Sequence, residues 1–156
     1  MESVLPKKLY RAIREEVPDS DYTVPIGKAK IRRAGDDVTL ITWGSMVRPC
    51  LEAAEKPNDG SIEVIDVRTI SPLDSSTILT SVKKTGRAII VHEAARSFGV
   101  GAEISARINE KELLSLEAPV LRVTGYDVPT PYPKLEDYFL PSVDRIYKAV
   151  QQVLSF

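Results

Sequence analysis

The sequence holds one cysteine and one histidine, Cys50 and His92, in 156 residues. A lone thiol rules out an internal disulfide framework and a cysteine-rich zinc centre. A single imidazole rules out any site that needs two. Neither sign of charge dominates: 21 Lys and Arg stand against 22 Asp and Glu, a formal net charge of -1. The chain therefore lacks the broad positive field that holds nucleic acid or anionic lipid. No stretch approaches the roughly 20 apolar residues of a membrane span. The opening Met1-Glu2-Ser3-Val4-Leu5-Pro6-Lys7-Lys8 carries no secretory apolar run. A reducing, cytoplasmic setting is the expectation.

What is present is the make-up of one globular domain, 43% hydrophobic and 28% charged. A chain of this length buries roughly 68–70% of the surface its unfolded form exposes, enough for a core without cross-links. Residues 1–26 read as an interdomain linker, because Pro6, Pro18 and Pro25 interrupt them and Glu15, Glu16, Asp19 and Asp21 keep them polar. Tyr10 and Ile13 at helical spacing suggest one short turn within it. Residues 27–156 read as the domain proper.

From Gly27 short strands alternate with longer helices. Lys28 to Arg33 is a strand, the turn Ala34-Gly35-Asp36-Asp37 follows, and Val38 to Trp43 is a strand of buried type. Two strands this close are expected to pair as a hairpin, which makes the first antiparallel. Ser45 is a candidate N-cap for a helix burying Met46, Cys50, Ala53 and Ala54, stopped early by Lys56-Pro57-Asn58-Asp59-Gly60. Further buried-type strands are read at Ile62–Val67, Arg87–Val91 and Pro119–Val123. Asp74 and Gly86 bracket a helix with Ile78, Leu79 and Val82 inward. Ile104 and Ile108 mark another, and a terminal helix from about Ser142 buries Val143, Ile146, Tyr147, Val150 and Leu154. Such strand–helix repeats predict a three-layer α/β/α domain around a mostly parallel five-stranded sheet with one antiparallel strand.

Several groups could carry chemistry. His92-Glu93 directly follows an apolar strand, where ligand sites of open α/β sheets gather. The histidine is either a general base or a packed strand-end residue. Gly99-Val100-Gly101-Ala102-Glu103-Ile104 opens like a dinucleotide fingerprint, but Ile104 stands in place of the third glycine. What remains is either a helix start able to hold an anion or plain backbone geometry. Asp66, Arg68 and Asp74 form either a charged pocket or an ion pair that fixes a loop. The aromatics and prolines of Tyr126 to Tyr138 serve either a partner surface or docking on their own domain. No Walker loop, HExxH, calcium loop or thiamin-diphosphate GDG motif occurs.

A resemblance runs through nearly the whole chain. Tyr22-Thr23-Val24-Pro25-Ile26-Gly27-Lys28-Ala29, Asp37-Val38-Thr39-Leu40 and the long run Val64-Ile65-Asp66-Val67-Arg68-Thr69-Ile70-Ser71-Pro72-Leu73-Asp74 carry its first part. Val91-His92-Glu93-Ala94, Leu116-Glu117-Ala118-Pro119 and Val123-Thr124-Gly125-Tyr126-Asp127-Val128-Pro129 continue it. Together they resemble the C-terminal domain of the beta subunit of 2-oxo acid dehydrogenases, a domain shared more loosely with transketolases.

The resemblance implies a parent that is an enzyme, oxidatively decarboxylating a branched-chain 2-oxo acid or pyruvate. It implies thiamin diphosphate and magnesium held between alpha and beta subunits of a heterotetramer. The pyrimidine-binding domain that precedes this one in the family is missing here, so the chain looks like a fragment of a longer subunit. By itself it is expected to bind no cofactor and to have no catalytic residue. The implied role is assembly and docking. Glu117 and the carboxylate of Phe156, if that residue ends the subunit, are the implied contacts for arginines of the subunit-binding domain of the dihydrolipoyl acyltransferase. A different class of function is a free-standing α/β domain that binds a small ligand at the His92 and Gly99 edge.

Overall fold

The computed structural model describes Leu9, Arg14, Glu16, residues 18–57 and residues 59–156. The helical turn expected at Tyr10 and Ile13 lies outside the described residues. Five strands form one sheet: β1 Lys30–Arg33, β2 Val38–Thr42, β3 Ile62–Asp66, β4 Ala88–His92 and β5 Leu121–Thr124, in spatial order β1-β3-β2-β4-β5. Five α-helices accompany them: α1 Val47–Glu55, α2 Ser75–Thr85, α3 Val100–Glu112, the single turn α4 Glu136–Phe139, and α5 Val143–Leu154.

Alternation along the strands sorts the core into two layers. Leu40, Val64, Ile89, Val91 and Val123 face α1 and α5, packing on Cys50, Ala53, Ile146, Val150 and Val153. Ile41, Ala88 and Ile90 face α2 and α3, packing on Ile78, Val82, Ile104 and Ile108. This is the three-layer α/β/α arrangement expected from the strand–helix alternation. β2, β3, β4 and β5 run parallel, and β1 alone is antiparallel. β2 and β4 are buried throughout, as strands covered on both faces must be. Among the described residues no helix is long and apolar enough to cross a membrane.

The hairpin expectation is wrong. β1 pairs with β3, not β2, through Lys30–Asp66 and Ile31–Ile65. The reason lies at Gly35, whose Cα passes against the start of β3, where a Cβ would sit 2.7 Å from the Ile62 carbonyl oxygen. The four-residue link thus crosses over β3 and delivers β2 to its far side. Wholly buried β2 takes the interior position, while β1, with Lys30, Ile31 and Arg32 exposed, takes the edge.

Two helix boundaries follow from local chemistry. The carboxylate of Asp74 accepts from the Thr77 amide at 3.2 Å to cap α2, and Gly86 closes that helix at φ 65°. Ser142 caps α5 through the Arg145 amide. Ser45 does not cap α1. A 3-10 turn at Gly44–Met46 comes first, so the N-cap position falls to Met46. α1 ends at Glu55, before Pro57, as the short proline-broken stretch predicts.

Candidate functional site

The carboxyl ends of β2 and β4 bring Trp43, Ser45, His92 and Glu93 together. β4 alternation turns His92 toward α3, and Trp43 emerges on the same side of β2. Their rings stack with centroids 5.3 Å apart and planes 13° from parallel. α3 closes over the imidazole: a Cβ on Gly99 would lie 3.2 Å from Cε1, and one on Gly101 would lie 2.7 Å from Cδ2. The glycines that begin like a dinucleotide fingerprint therefore make room for a ring. His92 is 1% exposed and neither ring nitrogen makes a hydrogen bond of ordinary geometry. Burial first, and the Arg122 charge second, hold its pKa below the ordinary value, against a smaller opposing contribution from the Ala94 backbone.

Ser45 donates its hydroxyl to the Glu93 carboxylate across the two strand ends, which is why it is unavailable as a cap. Cys50 lies beneath, where burial pushes its thiol up to about 12 despite the opposing influence of the Thr42 hydroxyl. Such a thiol is inert as a nucleophile.

Asp66, Arg68 and Asp74 do not form the ion pair weighed for them. Arg68 adopts φ 58°, which turns its amide onto Asp66 at 3.1 Å and leaves its side chain exposed. Asp74 is committed elsewhere. It caps α2, accepts the Thr77 hydroxyl at 2.9 Å and takes the Ala29 amide at 3.1 Å, tying the entry to β1 against α2. Burial alone would raise this carboxyl, but these hydrogen bonds and the Lys28 charge together hold it below the ordinary carboxylate range.

The segment from Tyr126 to Tyr138 divides its role. Asp127 accepts from the Ser97 amide and hydroxyl at 2.9 and 2.8 Å, and Tyr126 meets Phe139 edge-on at 6.4 Å beneath the Arg145 guanidinium. Those contacts dock the segment on its own domain. Val128, Tyr132, Leu135 and Tyr138 remain exposed. Phe98, at φ 57°, is fully exposed nearby in sequence to Ser97.

At the opposite end of the sheet, Glu117 precedes β5 and its side chain is 61% exposed. Its stem lies over Gly86, and Oε2 pairs with Arg87 Nη1 at 2.6 Å. Arg87 also donates from Nε to the Val153 carbonyl at 3.0 Å, in the last turn of α5. The arginine thus ties Glu117 to the helix that runs on to exposed Phe156, so the two expected contacts share one end of the domain. Arg87 was not singled out from the sequence. Its only local signal is its place directly after the glycine that ends α2.

Against known proteins, the family model for the C-terminal domain of transketolase matches residues 27–146. The chain belongs to that family. It is 47% identical over 151 residues to the pyruvate dehydrogenase E1 component subunit beta of Staphylococcus aureus strain N315, covering 96% of this chain and 46% of the relative. It is 48% identical to the protein of the same name from Bacillus subtilis strain 168, with the same coverage. The chain thus spans about half the length of these relatives. The fold matches a solved structure titled split gene transketolase, inactive beta4 tetramer, with TM-score 0.75 and 24% identity over 90% of this chain and 46% of that one.

Thiamin diphosphate, the cofactor implied by the resemblance, needs a seat for its diphosphate and magnesium. Among the described residues no three His, Cys, Asp or Glu side chains converge as metal ligands, and the 99–101 glycines are occupied by the His92 ring. The described residues do not fit that group by themselves.

Proposed function

We propose that this chain is the C-terminal assembly and docking domain of the beta subunit of a thiamin-dependent 2-oxo acid dehydrogenase acting on pyruvate. The observation that carries the reading is the 151-residue similarity to beta subunits of pyruvate dehydrogenase from two organisms. The names of these relatives favour pyruvate over a branched-chain substrate. In this reading residues 1–26 join the domain to a preceding pyrimidine-binding domain. Alpha and beta subunits assemble as a cytoplasmic heterotetramer, and thiamin diphosphate is held by parts of the enzyme outside this chain. His92 is a packing residue.

Glu117 and the end of α5 form the docking surface for the subunit-binding domain of the dihydrolipoyl acyltransferase. Glu117 suits that role physically. It is exposed at one end of the sheet and held in position by Arg87, so an incoming arginine meets an oriented carboxylate. Its present ion pair is at the surface and worth at most about 1 kcal/mol, so exchange for an intermolecular pair costs little.

The test is calorimetric titration of the 156-residue chain with the subunit-binding domain. Glu117→Ala is expected to weaken binding by about 1–3 kcal/mol, with affinity falling as salt rises. Binding unchanged by Glu117→Ala, by amidation of Phe156 and by raised salt would eliminate the docking role.

A further inference from the structure

β5 is the last strand of the sheet, and its outer side has no strand partner among the described residues. A groove of about 400 Å³ follows it, lined by Leu121, Arg122 and Val123 of β5, Arg96 of the loop after β4, and Arg145 and Lys148 of α5. Leu121 and Val123 pack toward α5, so Arg122 points to the other face. A groove lined by both sets runs along the edge of the strand, where the Thr124 carbonyl already accepts from Arg145.

Four of the lining side chains are cations, and none forms an ion pair with a described carboxylate. Two are held in place. Arg122 Nη1 donates to the Arg96 carbonyl at 3.0 Å. Arg145 donates to the Leu140 and Thr124 carbonyls at 3.3 and 2.7 Å and lies 4.8 Å over the Tyr126 ring. A single charged side chain is enough to keep an edge strand from aggregating. Ordered guanidiniums on β5 and α5, with the Arg96 and Lys148 cations beside them, make a surface that selects carboxylates.

We propose that this edge is a docking groove for an acidic, extended segment of a partner protein. The segment adds as a further strand on β5 while its carboxylates engage Arg96, Arg122, Arg145 and Lys148. Charge complementarity names the partner's chemistry, and the open strand edge names its conformation. The inference does not depend on the docking role of Glu117, because an acidic surface and a basic groove take partners of opposite charge.

The test is fluorescence anisotropy of the 156-residue chain with a labelled, end-capped peptide of alternating Glu and Val. Saturable binding is expected at low salt, falling by about tenfold or more between about 50 and about 200 mM salt. Lys148→Glu, at an exposed helix position, should lower affinity by about tenfold or more with an unchanged unfolding midpoint, and Arg122→Glu should lower affinity as well. N-methylation of alternate peptide residues should abolish binding, since it removes the donors that pair with β5. Absence of saturable binding overturns the proposal. So does equal affinity for Lys148→Glu, for the N-methylated peptide or for a Lys-Val peptide. A salt-sensitive dimer of the chain that Lys148→Glu dissolves would assign the groove to a second copy and overturn it too.

Discussion

The His92 imidazole stands where a side chain on Gly101 would go, 2.7 Å from Cδ2 to the Cβ position. That contact joins the end of β4 to the first turn of α3 and explains a glycine inside a helix, where it costs about 0.5–1 kcal/mol relative to alanine.

Gly101→Ala sets two effects against each other. Helix propensity favours alanine by up to about 1 kcal/mol, whereas forcing a methyl into the ring costs about 1–3 kcal/mol. The steric cost wins because the ring is held by its stack on Trp43. A net loss of about 1–2 kcal/mol is expected in urea unfolding. Adding His92→Ala removes the clash, so the double variant should lose less than the sum of the two single ones. Strict additivity would show that the contact carries no energy.

Stability should fall on mild acidification. His92 is held neutral in the fold with its pKa below the ordinary 6.5, so the unfolded chain binds the proton more readily. Its contribution is full above 6.5 and is lost as pH falls from there through the folded value. Urea midpoints measured at neutral pH and about one unit below 6.5 should differ in the wild type, and His92→Gln should flatten that difference. An identical slope in both proteins would assign the acid sensitivity to other groups.

Glu63 is 1% exposed on β3 and pairs with Lys84 Nζ of α2, 2.6 Å from Oε2. The Lys84 ammonium is favoured by this hydrogen bond, which outweighs its own partial desolvation and raises its pKa. Lys84→Met leaves a buried carboxylate uncompensated and should cost about 3 kcal/mol. Glu63→Met combined with Lys84→Met should recover most of that loss, because no buried charge remains. Equilibrium unfolding of the single and double variants checks both values. A double variant no more stable than Lys84→Met alone would contradict this account.

Much of the fold was legible in the sequence because the signals are local. Buried-type strands and helical stripes announce themselves within a few residues. Asp74 caps a helix three residues ahead of Thr77, and Gly86 ends it, through contacts spanning less than two turns. The family resemblance likewise rests on short runs of residues read in order.

Long-range relationships were not legible, for a physical reason. A hairpin and a crossover have the same four-residue link, and only the burial of β2 against both β3 and β4 decides between them. Ser45 has good cap chemistry, yet its hydroxyl goes to Glu93, 48 residues away. Arg87 reaches Glu117 and, 66 residues on, Val153. The sequence by itself determined the five strands and the helices α1, α2, α3 and α5, where α2 begins and ends, and the family. The order of the strands, the partners of Ser45 and Glu117, and the filling of the glycine loop by His92 were decided only by the tertiary structure, since side-chain packing and hydrogen bonding across the sheet depend on neighbours that chain order does not specify.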